Sequence, residues 1–298
     1  MTAPPALVAT REPVGSDAIE PEEVAKHSAS DRAARRLFAL RGELSRRAYG
    51  TTAALVFAVL VAAWSALSYG ELVSPLFLPT PTQVLAAGLE LAKTGELGAD
   101  LWASNLRIWE GFLLATVVSL PLGLLAGNVR LFEALIEPLL GFVRYLPVPA
   151  FIPLLILYTG IDEAPKILII FIGAVVQMVL MIADATKQTT SDLMRAALAL
   201  GATPAELFTR VIWPGSLPRI VDVLRMNLGW AWTYLVVAEM VAAREGLGYR
   251  ILKAQRFLRV DIIFFDLLVI GALGVVSDLL FRAVQSRRFP WAEDKLRA

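Results

Sequence analysis

Six apolar runs of about 20 residues divide this chain and restrict its fold more than any other feature. Runs of this length match the hydrocarbon core of a bilayer. They cover roughly 51–69, 108–126, 134–158, 165–183, 221–241 and 262–281. The composition agrees, since 57% of the residues are hydrophobic, 18% are charged and the mean hydropathy is +0.62. Because lipid cannot satisfy exposed backbone polar groups, these runs predict an all-α membrane protein with six transmembrane helices.

Basic residues beside the first and last runs predict that both termini are cytoplasmic. Arg41, Arg46 and Arg47 precede the first run. The basic residues after the sixth run are Arg282, Arg287, Arg288, Lys295 and Arg297. No signal-peptide pattern precedes the first run, so we expect it to be an uncleaved anchor.

The connection between the fifth and sixth runs departs from the positive-inside rule. It would lie outside, yet it carries five basic residues: Arg244, Arg250, Lys253, Arg256 and Arg259. Either the span count is wrong there or the charge has a use. Anion steering toward an entrance is one such use, and contact with a partner protein or with lipid headgroups is another.

The chain outside the runs divides into two tails around a transmembrane domain. Residues 1–48 form an N-terminal tail, 49–290 the transmembrane domain and 291–298 a C-terminal tail. Residues 1–30 lack apolar periodicity and are predicted to be disordered. From 31 to 49, leucines recur at helical spacing beside a basic face, which predicts either a helix on the inner membrane surface or a solvated extension of the first span.

The third run carries four prolines, Pro138, Pro147, Pro149 and Pro153. One helix cannot absorb that number without kinks or freed carbonyls, so the segment is expected to be buried in protein or to line a watery cavity. We interpret Pro147 and Pro149 as candidate lining residues of a translocation path. A kinked packing helix is the alternative.

Ionisable residues at membrane depth are further candidates for that path, since they tend to face the interior of a bundle. Arg144 lies in the third run, Glu239 near the end of the fifth, and Arg244 just beyond it. Snorkelling to the interface is the alternative for groups near a span end. Asp266 and Asp278 in the sixth run are interpreted in the same way.

A polar stretch from Arg195 to Pro214 stands between the fourth and fifth runs. Thr203 to Glu206 form a T-x-x-E capping box with Pro204 at the first helical position, so a short helix is predicted to begin there. Gly201 is expected to end the preceding helix. A helix, a glycine break and a second helix between two spans suggest a docking surface.

The frame of this stretch resembles the "EAA" loop (E-A-A-x3-G-x9-I-x-L-P) of ABC importer permeases, with Ala196, Ala197, Gly201, Val211 and Pro214 at the matching positions. The stretches 106–128, 145–167, 236–251 and 271–282 look like permeases of the nitrate, taurine, aliphatic sulfonate and bicarbonate branch. Within 236–251 stands E-x-x-x-A-x-x-G-L-G, from Glu239 to Gly248. Two residues depart from the family pattern, Arg195 at its acidic position and Trp213 at its leucine, and Arg195 puts in doubt any ion pair made there.

The resemblance implies a type I ABC importer permease (MetI-like) fold in a bacterial inner membrane, with a cytoplasmic coupling helix. It implies a homodimer, or a pairing with a related permease, bound to two cytoplasmic ATPases and served by an extracytoplasmic solute-binding protein. The residues that it implies for the ATPase contact are Arg195, Ala196, Ala197, Gly201, Ala202, Thr203, Pro204, Glu206, Leu207, Phe208 and Pro214. The implied solute is a small oxyanion or organic anion, with aromatic acids and thiamine precursors left open.

Other functional classes fit the residues less well. The chain has no cysteine and one histidine, His27, so no cofactor or metal is expected. It has no G-x-x-x-x-G-K-[ST] loop, so ATP hydrolysis would fall to a partner. An ion-coupled secondary transporter would not need the capped stretch, and an intramembrane enzyme would need a catalytic constellation that the scattered carboxylates do not offer.

Overall fold

The computed structural model describes residues 46–189 and 191–292, which form eleven α-helices joined by turns. The helices are α1 (Arg46–Tyr69), α2 (Pro81–Thr94), α3 (Glu96–Asn128), α4 (Arg130–Val143), α5 (Ile152–Thr159), α6 (Glu163–Lys187), α7 (Ser191–Ala199), α8 (Pro204–Leu207), α9 (Trp213–Ala242), α10 (Leu247–Arg256) and α11 (Val260–Arg288). A 3₁₀ turn at Val148–Phe151 precedes α5, and a π turn at Phe208–Ile212 joins α8 to α9.

Contacts divide the chain into two compact units, 1–63 and 64–298. The first is helical over its described residues, 46–63, and the second carries all the features that follow. The predicted disordered stretch 1–30, most of the predicted surface helix over 31–49 and the residues after 292 lie outside the described part of the chain.

Helices α3 and α6 pack closely because α3 presents a small residue at every fourth position. These residues are Gly111, Ala115, Ser119, Gly123 and Gly127. A Cβ added at Gly111 would lie 2.7 Å from Cβ of Ile170, and one added at Gly123 would lie 2.7 Å from Cβ of Ile182. The difference in residue number between the paired positions is the same at both places, so the two helices run in the same direction. Small residues allow such an approach in lipid, where apolar surface alone does not drive association.

Helix α9 runs antiparallel to α6 along most of its length. Arg219 donates from Nη1 to the carbonyl of Gln188 at 2.6 Å. Further along, the amide of Asn227 lies 3.5 Å from Sδ of Met181. The ring of Tyr234 covers Gly173, toward the start of α6. The three helices enclose a core that includes the fully buried Ile108, Phe112, Met178 and Leu235.

The third predicted span is broken into two arms, α4 and the segment Val148–Thr159, which meet at 87°. Pro147 lies at the N-cap of the 3₁₀ turn, and Pro149 and Pro153 lie in first helical turns, where a missing N–H costs no hydrogen bond. Because α3 and α6 run parallel, the end of α3 and the start of α6 lie at opposite ends of the bundle. The broken segment between them must therefore cross the bundle in the opposite direction. The sequence interpretation of 134–158 as a single run is corrected to one bent span.

Four of the described helices, α1, α3, α6 and α11, are long and apolar enough to cross a membrane, and the bent span makes five. The sixth is α9, whose 30 residues include Asp222, Arg225 and Glu239 and are therefore less apolar. Because α9 lies antiparallel beside α6, it crosses the same layer. The prediction of an all-α membrane fold with six crossings is confirmed.

Candidate functional site

The capped loop, residues 195–214, has the local structure that its sequence predicts. Helix α7 ends at Ala199, and Gly201 follows in the left-handed conformation with φ of 83°. Thr203 then caps α8: its hydroxyl accepts from the N–H of Glu206 at 3.3 Å, and Oε2 of Glu206 accepts from the N–H of Thr203 at 3.1 Å. The predicted glycine break and capping box are therefore confirmed.

The charge on Glu206 supports this cap. Its carboxylate accepts from the N–H and from the hydroxyl of Thr203 and lies 3.5 Å from the guanidinium of Arg210, and these contacts lower the pKa of Glu206. The negative charge also lies in the first turn of α8, where the helix dipole favours it. The loop thus holds its shape by contacts among neighbours in sequence.

The sequence-predicted contact residues all lie where a partner could reach them. Each of Arg195, Ala196, Ala197, Gly201, Ala202, Thr203, Pro204, Glu206, Leu207, Phe208 and Pro214 is exposed or half-buried. Leu200 beside them is 89% exposed. Trp213, by contrast, packs against the hydrophobic core.

Helix α8 is continuous with α9. Phe208 and Trp213 both have right-handed helical φ and ψ, so the chain stays helical from Pro204 to Ala242 through the π turn. At a rise of 1.5 Å per residue, the distance along α9 from Trp213 to Glu239 is about 39 Å. The helix thus connects the capped loop to the opposite end of the bundle.

At that opposite end lies a cluster that we call the ion-pair network: Asp100, Ser104, Arg107, Glu163, Glu239, Arg250 and Asp266. All of these are buried except Glu163, which is exposed. Glu239 is its first centre and is fully buried. Its carboxylate accepts from Nη1 of Arg107 at 2.8 Å, from the hydroxyl of Ser104 at 2.8 Å and from the N–H of Gly248 at 2.9 Å. Arg107 also donates to both carboxylate oxygens of Glu163, at 2.5 and 3.0 Å.

Two glycines allow the chain to close around Glu239. Gly246 has φ of 114°, and a Cβ there would collide with the carboxylate of Glu239 and lie 2.7 Å from Nη1 of Arg107. A Cβ at Gly248 would lie 2.6 Å from the carbonyl oxygen of Val236. Leu247 between them is fully buried. Close packing around Glu239 therefore explains why glycines stand at 246 and 248, on either side of the buried Leu247.

Arg250 is the second centre of the network. Its guanidinium binds both carboxylate oxygens of Asp266, and its Nη1 donates to Asp100 at 2.8 Å. Asp100 joins the two centres, because its other oxygen accepts from the N–H of Gly246 at 2.7 Å. Burial alone would lower the pKa of Arg250, but the carboxylates of Asp266 and Asp100 together outweigh it and raise that pKa, so this side chain stays charged. The network ties α3, α6, α9, α10 and α11 together.

The basic connection between α9 and α11 is consequently less positive than its sequence suggests. Arg250 is buried and paired, and Arg259 lies 2.9 Å from Asp261 and 3.5 Å from Glu90. Arg244, Lys253 and Arg256 remain exposed. The expectation of five surface charges is corrected to a smaller patch, since folding neutralises part of the charge internally.

The path candidates lie in different places. Glu239 belongs to the ion-pair network, and Arg244 is exposed beside it. Arg144 caps α4 at the bend of the third span, next to Pro147 and Pro149. The structure thus does not bring the five candidates together, and their place on a path stays a prediction.

Sequence reasoning missed Asp100, Ser104 and Arg107, which follow one another at helical spacing on one buried face of α3. That spacing was the available signal. Reasoning also missed Gln177 and Asn227, the polar residues near the middle of α6 and α9, and their position inside apolar runs was the signal.

Helices of membrane-crossing length that pack together, with an exposed capped loop at one end, define a multi-span membrane protein of the all-α class. Residues 119–290 match the family model described as "Binding-protein-dependent transport system inner membrane component", and the chain belongs to this family.

Two relatives agree with this assignment. The chain is 39% identical to a "Probable ABC transporter permease protein" of Brucella abortus (strain 2308), over 80% of this chain and 94% of that protein. It is 35% identical to the "Taurine transport system permease protein" of Escherichia coli (strain K12), over 78% of this chain and 87% of that protein.

The fold is likewise similar to a solved permease. The structure of a methionine ABC transporter in an inward-facing conformation matches with a TM-score of 0.53 and 20% identity, over 62% of this chain and 94% of that chain. At this identity the likeness confirms the type I importer permease fold and nothing finer.

Proposed function

We propose that this chain is the permease subunit of an ATP-driven importer and that the capped loop is its contact with a cytoplasmic ATPase. The observation that carries the proposal is a rigid, exposed helix turn, Pro204–Leu207, continuous with a membrane-crossing helix. A capped turn keeps its shape without burial, which suits it to enter a groove on a partner. The exposed Leu200 and the half-buried Leu207 and Phe208 supply apolar surface for that contact.

The continuity of α8 and α9 suggests how the ATPase would drive transport. Movement of the capped loop displaces α9, since the chain stays helical through the π turn and past Pro218 and can therefore transmit an axial or tilting force. The ion-pair network holds the far end of α9 to α3, α6, α10 and α11, so that end moves together with its neighbours. Alternating access then follows from tilting one group of spans around a central path.

The proposed assembly has three kinds of component: permeases, ATPases and a solute-binding protein. Two copies of this permease, or this chain with a related permease, would enclose the path, with two cytoplasmic ATPases below and a solute-binding protein outside. ATP hydrolysis belongs to the ATPases in this scheme. Both termini and the capped loop face the cytoplasm, and Arg244–Asp261 faces outside the bacterial inner membrane.

The proposed solute is a small oxyanion or organic anion of the nitrate, bicarbonate, sulfonate or taurine type. The similarity to a taurine permease supports this choice. The exposed Arg244, Lys253 and Arg256 give the outer surface a positive patch, which raises the local concentration of anions within a Debye length of about 8 Å.

Reconstitution tests the proposal against its main rival. The permease, an ATPase partner and a solute-binding protein are placed in liposomes, and uptake of labelled taurine is measured with ATP inside, or with only a proton or sodium gradient. Uptake that requires ATP and the ATPase is the expected result. Uptake driven by a gradient without the ATPase would make the chain a secondary transporter.

A further inference from the structure

A cavity lies at the bend of the third span, midway through the membrane layer. It lies between the bend, the middle of α6 and the middle of α9, and its volume is about 240 Å³. Gly173, Val176 and Gln177 line it from α6, and Asn227 lies near the midpoint of α9. Non-helical backbone at membrane depth is tolerated where it lines a cavity, and broken helices mark solute sites in other transporters.

Arg144 supplies positive charge to this cavity. It caps α4 at the bend and lines the cavity wall, and its guanidinium contacts the ring and donates to the hydroxyl of the neighbouring Tyr145. Arg144 forms no ion pair with any described residue. An unpaired arginine at membrane depth is costly, and such residues mark the pathway of a charged solute.

Asn227 supplies an unused acceptor on another wall. The residue is 1% exposed, and its Nδ2 already donates to the carbonyl of Val223 at 2.9 Å. Its Oδ1 is buried and accepts no hydrogen bond from the described residues. A buried acceptor without a donor is unfavourable, so a ligand that donates a hydrogen bond there gains affinity.

The remaining walls fit a small ligand with a positive end. Trp230 and Tyr234 stand one and two turns beyond Asn227 on α9, and both line the cavity. Aromatic faces attract ammonium groups. Gln177 adds an amide that can donate or accept.

We propose that this cavity is a solute-binding site for a small zwitterion, with the oxyanion group on Arg144 and the ammonium group donating to Oδ1 of Asn227. The inference rests on the proposed function, because it names the solute class that the importer carries. Nitrate or an alkyl sulfonate satisfies Arg144 but has no donor for Asn227. A taurine-like aminosulfonate satisfies both.

Competition binding tests the proposal on the permease–ATPase complex in lipid nanodiscs. The probes are labelled taurine and propane-1-sulfonate, in which a methyl group replaces the ammonium. The intact complex should bind taurine at least about tenfold more tightly, the ratio that corresponds to 1.4 kcal/mol. Asn227→Leu should reduce that preference to about threefold or less, and Arg144→Gln should weaken both probes about tenfold.

Matched controls separate the site from general damage. Asn128→Leu removes an exposed amide that also donates to the carbonyl four residues earlier, at 2.8 Å, and should leave the preference unchanged. Arg287→Gln removes an exposed arginine far from the cavity and should leave both affinities unchanged. Gln177→Leu, at an exposed position, replaces Asn227→Leu if the buried change prevents folding, and it should also reduce the preference.

Equal binding of the two sulfonates to the intact complex overturns the zwitterion assignment, and so does a preference that survives both amide variants. Absence of binding overturns the site itself. ATP-driven uptake is measured separately on the same preparation. Discrimination between the probes without ATP-driven uptake therefore refutes the proposed function and leaves the site standing.

Discussion

The capped loop and the ion-pair network lie at the two ends of one continuous helical rod, and they are built in opposite ways. The loop is exposed and is held by contacts within four residues, such as Thr203 with Glu206. The network is buried except for Glu163 and joins residues far apart in sequence, such as Arg107 with Glu239 and Asp100 with Arg250. Local contacts keep a docking element rigid without anchoring it, whereas long-range pairs anchor several helices to one another.

This contrast has a consequence for energetics. An exposed ion pair contributes about 0–1 kcal/mol, whereas removal of one partner from a buried pair costs about 3–5 kcal/mol. Changes in the network should therefore act on stability, and changes in the loop should act on coupling to the ATPase. The following variants separate the two.

The largest effect is expected from Arg250→Gln. It leaves the fully buried Asp266 without its cation, so the free energy of unfolding should fall by about 3–5 kcal/mol. Thermal unfolding of the purified permease measures the change. Arg256→Gln, in the last turn of the same helix but exposed, is the matched control and should change little. Equal melting temperatures for the two variants would show that Arg250 does not anchor the network.

Gly246→Ala should have the next largest effect, because the new methyl group enters the space between Glu239 and Arg107. Gly160→Ala is the control: Gly160 also has positive φ, at 82°, but open space around it. Both variants suffer backbone strain of about 1–3 kcal/mol, so the extra loss in Gly246→Ala measures the collision alone. If the two lose the same stability, the close approach at Gly246 is unimportant.

Gly201→Trp should abolish coupling and lower the free energy of unfolding only by the backbone strain of about 1–3 kcal/mol, since Gly201 has φ of 83° but is exposed and lies in open space within the proposed ATPase contact. The measurement is solute uptake per ATP hydrolysed, together with recovery of the ATPase in the purified complex. Gly201→Asn tests the backbone alone, because asparagine tolerates the left-handed conformation, and it should retain coupling. Full coupled transport by Gly201→Trp would remove the loop from the contact.

The smallest effect concerns pH. The pKa of Glu206 is lowered by Thr203 and Arg210, so its contribution to the cap is complete above the unfolded pKa of about 4.3 and is lost as pH falls through the folded pKa. A spin label on a cysteine introduced at Ala202, in a chain without native cysteine, should become more mobile below that range. Glu206→Gln should remove the pH dependence, and an identical pH response in that variant would exclude Glu206 as its source.

Much of the fold was predictable from sequence because apolar length and capping chemistry are local. The capped loop could be predicted in detail, since Thr203, Pro204 and Glu206 determine it within four residues. The bend at Pro147 and the less apolar α9 were only partly predictable, because the bend angle depends on packing and α9 depends on neighbours that bury its charges. The network was not predictable, since Asp100 and Arg250 meet only after five helices have packed.

The central claim is that the capped loop and the connection that carries Arg250 lie on opposite sides of the membrane, joined by the rod from Pro204 to Ala242. The most direct test uses single cysteines at Leu200 and Lys253, both exposed, in this cysteine-free chain. In intact cells, a membrane-impermeant thiol reagent should label the cysteine at position 253 and should reach position 200 only after the membrane is broken. Labelling of both positions from the same side would contradict the account.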